Sequence, residues 1–320
     1  MKMIHLARFT LLVSSLLSAP AFAADSNPAY TPLTHGRVQE ATNLLRQQLV
    51  KNSTDAHAHE LLCRVAYAQE LADEALSECE QAVNLAPNDS EAQMWLGRSL
   101  GLKASHTNPV TAYKLARRVR TAFERAVQLN PRNVEAASDL GEYYIYAPGF
   151  LGGDETRAQA LIAQLAPLSA FRSHRLEGLL QQKKGNLAEA EAAFKAAVAA
   201  GNSPEAWTDL ALFYEKQKRQ DEVVGAIHQA LTADRTHGAV EVDAASILTS
   251  IKREPETAEQ ALRNYLASSN QAESAPVFKV HLQLGKLLDH RGDKDGAKAE
   301  FAAAVALAPN YQPARKALED

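Results

Sequence analysis

A pattern of small, aromatic and proline residues that returns about every 34 positions constrains this chain more than any other feature. Leu284-Gly285, Leu288, Ala297, Phe301, Ala304 and Pro309 set it out most fully. Trp207, Leu210, Ala211, Tyr214, Val223, Ile227 and Ala230 repeat it, as do Gly178, Ala190, Phe194 and Ala197, and again Leu62, Cys63, Ala75, Cys79, Ala82 and Pro87. A small residue in the middle of one helix and alanines in the next remove bulk where two antiparallel helices touch, and the aromatic positions fill the gaps to neighbouring pairs. Pro87, Pro131 and Pro309 stop each second helix where the next unit must turn. No such pair buries enough apolar surface alone, so the units are stable only when stacked. The composition agrees: 46% of residues are hydrophobic but only 6% aromatic, and the alanine that makes up much of the difference favours close-packed helices.

These spacings resemble the tetratricopeptide repeat, over nearly all of residues 34–318. Two units depart from it by insertions between their helices, and residues 102–113 and 147–154 are expected as lengthened, mobile turns. Leu96-Gly97 is separated from Phe123, Ala126 and Pro131 by a gap about ten residues too long, filled by KASHTNPVTAYK; Leu140-Gly141 and Tyr144 are followed by APGFLGGD before Ala158 resumes the pattern. A weaker unit runs over roughly 238–271, with Leu248, Ala258, Leu262 and Tyr265, and a lone second helix with Ala41 and Leu45 precedes everything. The expected fold is all-α: an elongated right-handed superhelical solenoid of antiparallel helix pairs, about six or seven repeats, over residues 34–320.

Residues 1–23 pair Lys2 and Arg8 with an apolar stretch from Phe9 to Leu17 and the small-residue end Ala21-Phe22-Ala23, the pattern of a cleaved signal peptide. The apolar stretch falls short of the roughly 18 residues needed to span a bilayer, and the first cysteine, Cys63, is too distant for lipid attachment. The expectation is a periplasmic or secreted protein without membrane insertion, opening with a flexible, proline-broken lead-in at 24–33. Without Lys2 and Arg8 the chain has 32 basic against 38 acidic residues, which lacks the basic excess that nucleic-acid binding requires.

The search for chemistry yields no G-x-S-x-G, H-E-x-x-H, G-x-G-x-x-G or P-loop, so neither an enzyme nor a cofactor is expected. His57 and His59 are the most metal-like pair, but two residues apart on a helix they point about 200° from one another, and no metal site is expected. In APGFLGGD, Pro148 ends a helix and Asp154 caps the next; Phe150 and Leu151 serve either as part of a structural turn or as a partner contact.

The family resemblance implies a concave face made by the first helices, contacted by residues just after the tryptophan, glycine and tyrosine slots. Carried over slot by slot, it selects Glu60, Arg64, Tyr67, Arg98, Glu142, Ile145, Arg175, Thr208, Glu215, Lys286 and Asp289, with Arg172 nearby. Arg64, Arg98 and Arg175 form either a cationic strip for an acidic segment or a solvated face with compensating glutamates. The functional expectation is a scaffold for an extended peptide or protein segment; the alternatives are an envelope subunit assembling through its terminal helices and, more remotely, an enzyme or small-ligand protein using a pocket beside the insertions.

Cys63 and Cys79 occupy the glycine and phenylalanine slots of one pair. With the turn centred near Leu71 they lie at similar heights on antiparallel helices, and helix axes about 8 to 10 Å apart bring their Cα atoms within roughly 4 to 6 Å. Disulfide and buried thiols are both compatible with that geometry.

Overall fold

A computed structural model describes residues 26–320; the signal-peptide expectation for 1–23 lies outside the described residues. Those residues form helices and no strands. A short helix α1 (Tyr30–Thr34) leads into α2 (Val38–Lys51), and seven antiparallel pairs follow: α3 (Ala56–Ala68) with α4 (Ala72–Leu85), α5 (Ser90–Ser105) with α6 (Pro109–Leu129), α7 (Val134–Tyr146) with α8 (Glu155–Leu165), α9 (Ala170–Lys184) with α10 (Leu187–Ala199), α11 (Pro204–Lys216) with α12 (Gln220–Ala233), α13 (Ala239–Ser250) with α14 (Pro255–Ala267), and α15 (Val277–His290) with α16 (Lys294–Leu307). A final helix, α17 (Gln312–Glu319), covers the last pair.

The small and aromatic slots act as a lock within each pair. A Cβ placed on Gly178 would stand 2.9 Å from the ring of Phe194, and on Gly97 and Gly285 it would run closer still into Phe123 and Phe301. First helices crowd one another, α3 on α5, α5 on α7, α7 on α9, α9 on α11 and α11 on α13, while successive second helices make no comparable contact. The first helices therefore form the inner, concave face and the second helices splay outside it.

Two expectations are corrected. The lead-in is not loose throughout: α1 forms, and Ala29 and Leu33 are fully buried, because their apolar side chains join the continuous core. Nor do residues 102–113 form a loop. They lengthen α5 to 16 residues and α6 to 21, leaving only His106–Asn108 between them. Asn108 accepts from Thr111 N at 3.1 Å and Pro109 supplies the first helical position, so the second helix starts early.

The superhelix also brings its two ends together instead of remaining elongated. Arg64 on α3 donates through Nε and Nη2 to Glu273, just before α15, at 3.1 and 2.6 Å. Lys279 on α15 reaches Glu70 at 2.7 Å. Gly36, with φ of +66°, lies so close to the backbone of Val277 that an added Cβ would stand 2.7 Å from its nitrogen. Partners 209 residues apart in sequence thus close the turn.

Candidate functional site: the inner face

Arg64, Arg98 and Arg175, expected to form a strip along the groove, do line the first helices, but none of the three is a free cation. Arg98 on α5 donates to Asp139 at 2.7 Å and Glu135 at 2.9 Å on α7. Arg175 on α9 reaches back to Glu142 at 2.5 Å and forward to Asp209 on α11 at 3.1 Å. Arg64 sits between Glu60, at 3.2 Å, and Glu273. Each guanidinium is held by two carboxylates, at least one of them on another unit. Burial works against the charged form of all three arginines, but these carboxylates outweigh it and hold their pKa values above the ordinary one. On the other side of the pairs, burial raises Asp139 and Asp209 even against their arginines.

Trp95, buried on α5, lies between two of these groups: the Arg64 guanidinium stands 5.0 Å and that of Arg98 4.7 Å from its ring centroid. Tyr67 meets Trp95 edge-on at 5.6 Å. Further along the inner face, Asp243 on α13 has no ion-pair partner among the described residues. Its side chain is exposed, yet the walls of the inner face desolvate the carboxylate and, with the like charges of Asp209 and Glu205, push its carboxyl up to about 6.

The remaining carried-over residues divide. Arg172 stacks over Phe171 at 5.2 Å and adds positive potential near Asp209. Glu215 accepts from the Ser250 hydroxyl across the α11–α13 boundary. Lys286 is exposed, and Asp289 is tied to Lys294 at 2.6 Å. Glu60, Ile145 and Thr208 are buried and unavailable to a partner, because the inner face of a tightly wound turn leaves less room than an open groove. Of the two readings of the arginine strip, the ion pairs match the one with compensating carboxylates. Its three arginines share six carboxylates, so the face is alternately charged with an acidic excess.

Cys63 and Cys79 are joined by a disulfide with Cα atoms 5.2 Å apart, and the Ser99 hydroxyl of the next unit lies 3.0 and 3.3 Å from the two sulfurs. His59 pairs with Glu78 on α4 at 2.6 Å, and His281 with Glu300 on α16 at the same distance. Both histidines hold the slot that is tryptophan at 207, and in each the imidazole ties the first helix to the second by a hydrogen bond.

Sequence reasoning missed Trp95, Asp139, Asp209 and Glu273. A signal for two of them was present: Asp139-Leu140-Gly141 and Asp209-Leu210-Ala211 set an aspartate two residues before the small slot, and Asp243-Ala244-Ala245 does the same.

Tetratricopeptide-repeat family models match residues 33–98, 175–236 and 278–311, together about half of the chain. The chain belongs to the tetratricopeptide-repeat family. The unmatched stretch between the first two matches contains both insertions. No curated protein matches the sequence. Among solved structures, the chain is similar to yeast Tom70, with a TM-score of 0.54 and 16% identity over 93% of this chain and 65% of that one. It also resembles a thermophilic tetratricopeptide-repeat protein of Thermus thermophilus, at 25% identity and TM-score 0.46 over 61% of this chain and 99% of that one. A third likeness is to the Cut9–Hcn1 hetero-tetramer of the APC/C, at 14% identity and TM-score 0.42, over 91% of this chain. The likeness to Tom70 concerns the fold alone, and the chain spans about half the length of the Cut9–Hcn1 chain, 54% of which it covers.

Proposed function

We propose that the protein is an exported, non-enzymatic scaffold that holds an extended segment of a partner protein along its inner face. Family membership supports a protein-interaction role, and the signal-like N-terminus supports export. The observation that carries the reading is the row of ion pairs across α3, α5, α7, α9 and α11. Arg98 and Arg175, each about one-fifth exposed, are held in place between carboxylates of neighbouring units, so the polar groups a partner meets are already oriented. Carboxylates outnumber arginines two to one along this row, and Asp243 extends it without a cation of its own. The segment that fits such a face carries lysine or arginine, the opposite of the acidic segment the bare arginine positions suggest.

A photo-crosslinking residue at Asp243, compared with one at Lys195 on the outer helix α10, tests this in the envelope fraction of the source cell. The reading expects a discrete crosslinked protein from position 243 that weakens with salt, and none from 195. Crosslinking from 195 alone, or from neither position, would contradict it. Assembly through terminal helices is less well supported, since the two ends of the turn are already engaged with each other.

A further inference from the structure

The two insertions converge. Tyr113, near the start of the lengthened α6, stacks on Phe150 of the 147–154 turn with ring centroids 6.2 Å apart and planes 15° from parallel. The Tyr143 hydroxyl lies 2.9 Å from both the Ala116 and the Leu151 carbonyl oxygens, tying helix and turn together. The Arg120 side chain packs against Gly152, whose φ of +92° lets the backbone turn there without a side chain in the way. Positions 113, 116 and 120 of α6 therefore all border the turn. The repeat itself requires neither insertion, since Gly97 and Phe123 keep their lock beneath them.

What the two insertions build is a small apolar platform with a charged rim. Phe150 is 73%, Val110 70% and Tyr113 41% exposed, among the most exposed large apolar side chains described. Lys114 and Arg117, one residue and one turn beyond Tyr113, are exposed and make no ion pair among the described residues. Residues 113–125 hold five basic side chains and one acidic one in a chain of net charge −4. The opposite edge of the turn carries Asp154 and exposed Glu155. Unpaired positive charge thus lies on the α6 side of the aromatic pair, since Arg157 on the other side is held by Asp154 and Glu124. A bilayer, which presents its headgroups over a whole plane, would meet Asp154 and Glu155 as well; a peptide laid across the platform in one direction would not.

We propose that this platform is a second docking surface, separate from the inner face, which takes an acidic peptide segment bearing an aromatic or aliphatic side chain. The apolar side chain covers Phe150 and Tyr113, and the carboxylates of the segment pair with Lys114 and Arg117.

The test uses the mature, disulfide-bonded chain and a fluorescent peptide carrying two phenylalanines flanked by glutamates, beside its lysine counterpart and vesicles of anionic phospholipid. The acidic peptide is expected to bind with a salt-dependent affinity, and the lysine peptide and vesicles are not. Lys114→Glu with Arg117→Glu, and separately Phe150→Ala, are each expected to weaken that binding about tenfold. All three are surface changes, and unchanged circular dichroism would show that the fold is intact. Binding unaffected by both variants, binding of the vesicles but not the acidic peptide, or no binding of any probe would overturn the proposal. Because Asp243 is unaltered in these variants, crosslinking there reports on the inner face independently.

Discussion

The joints between consecutive helix pairs and the joint where the two ends of the turn meet are built from different materials. Between and within pairs the core contacts are apolar and close, glycine under phenylalanine at Gly178–Phe194 and Phe194 on Phe213 of the next unit with centroids 5.4 Å apart, and ion pairs such as Arg98–Asp139 are added only along the rim of that core. At the closure the contacts are mostly ionic, Arg64 to Glu273 and Lys279 to Glu70, around one tight backbone approach at Gly36. Apolar joints tolerate salt and fail when volume changes; ionic joints tolerate volume changes and weaken with salt where solvent reaches them. The repeat therefore holds the helices together, and a charge-dependent latch sets whether its ends stay joined.

Six perturbations sharpen this contrast, taken first within the repeat and then at the latch and the inner face, each set from the largest expected effect to the smallest. Removing the Cys63–Cys79 bridge by Cys63→Ala with Cys79→Ala is expected to cost about 3 kcal/mol, the stabilisation typical of a loop this short; its sequence separation is 16. Urea unfolding measures the loss, and thiol titration of the unfolded, unreduced chain is expected to find no free thiol. Gly285→Val forces a side chain into the Phe301 ring and is expected to cost about 2 kcal/mol. Gly101→Ala, where nothing lies within 4 Å of an added Cβ, should instead gain about 0.5 kcal/mol from helix propensity.

At the latch, Glu273→Ala leaves the largely buried Arg64 with Glu60 alone and is expected to cost about 2 kcal/mol with little dependence on salt. Glu70→Ala breaks a pair whose two side chains are each about one-third exposed. It is expected to cost less than about 1 kcal/mol, vanishing in high salt. Asp243→Asn gives the smallest effect, and its sign depends on pH. With its carboxyl pushed up to about 6 in the fold, the folded chain holds this proton more tightly than the unfolded chain does. Stability from this group is therefore present at low pH and lost as pH rises through the folded value. The asparagine variant should be slightly more stable than the parent at pH 7 and no more stable at pH 4; a gain at both would show that the charge is not the cause.

The apolar joints are legible in the sequence because each is made by residues at fixed offsets within about 34 positions. Gly97, Gly178 and Gly285 announce their phenylalanines, and counting residues from Leu71 suffices to bring Cys63 opposite Cys79. The ionic partners are not legible in the same way. Arg98 is neutralised from the next unit and Arg64 from the far end of the chain, and a charge does not specify its partner as a missing Cβ specifies a ring. The lengthened α5–α6 hairpin lies between these cases. Asn108-Pro109 is a readable helix start, yet the expected loop obscured it.

The closure is tested most directly by zero-length carbodiimide coupling, which joins an ammonium to a carboxylate only when the two are in contact. Lys279 and Glu70, 2.7 Å apart, lie at the latch, and Lys103 and Asp73, 2.6 Å apart, are an internal control within the repeat. Peptide mass spectrometry of the monomer is expected to find both links, with the 70–279 link fading in high salt. Finding the 73–103 link without the 70–279 link at low salt would contradict a turn closed end to end.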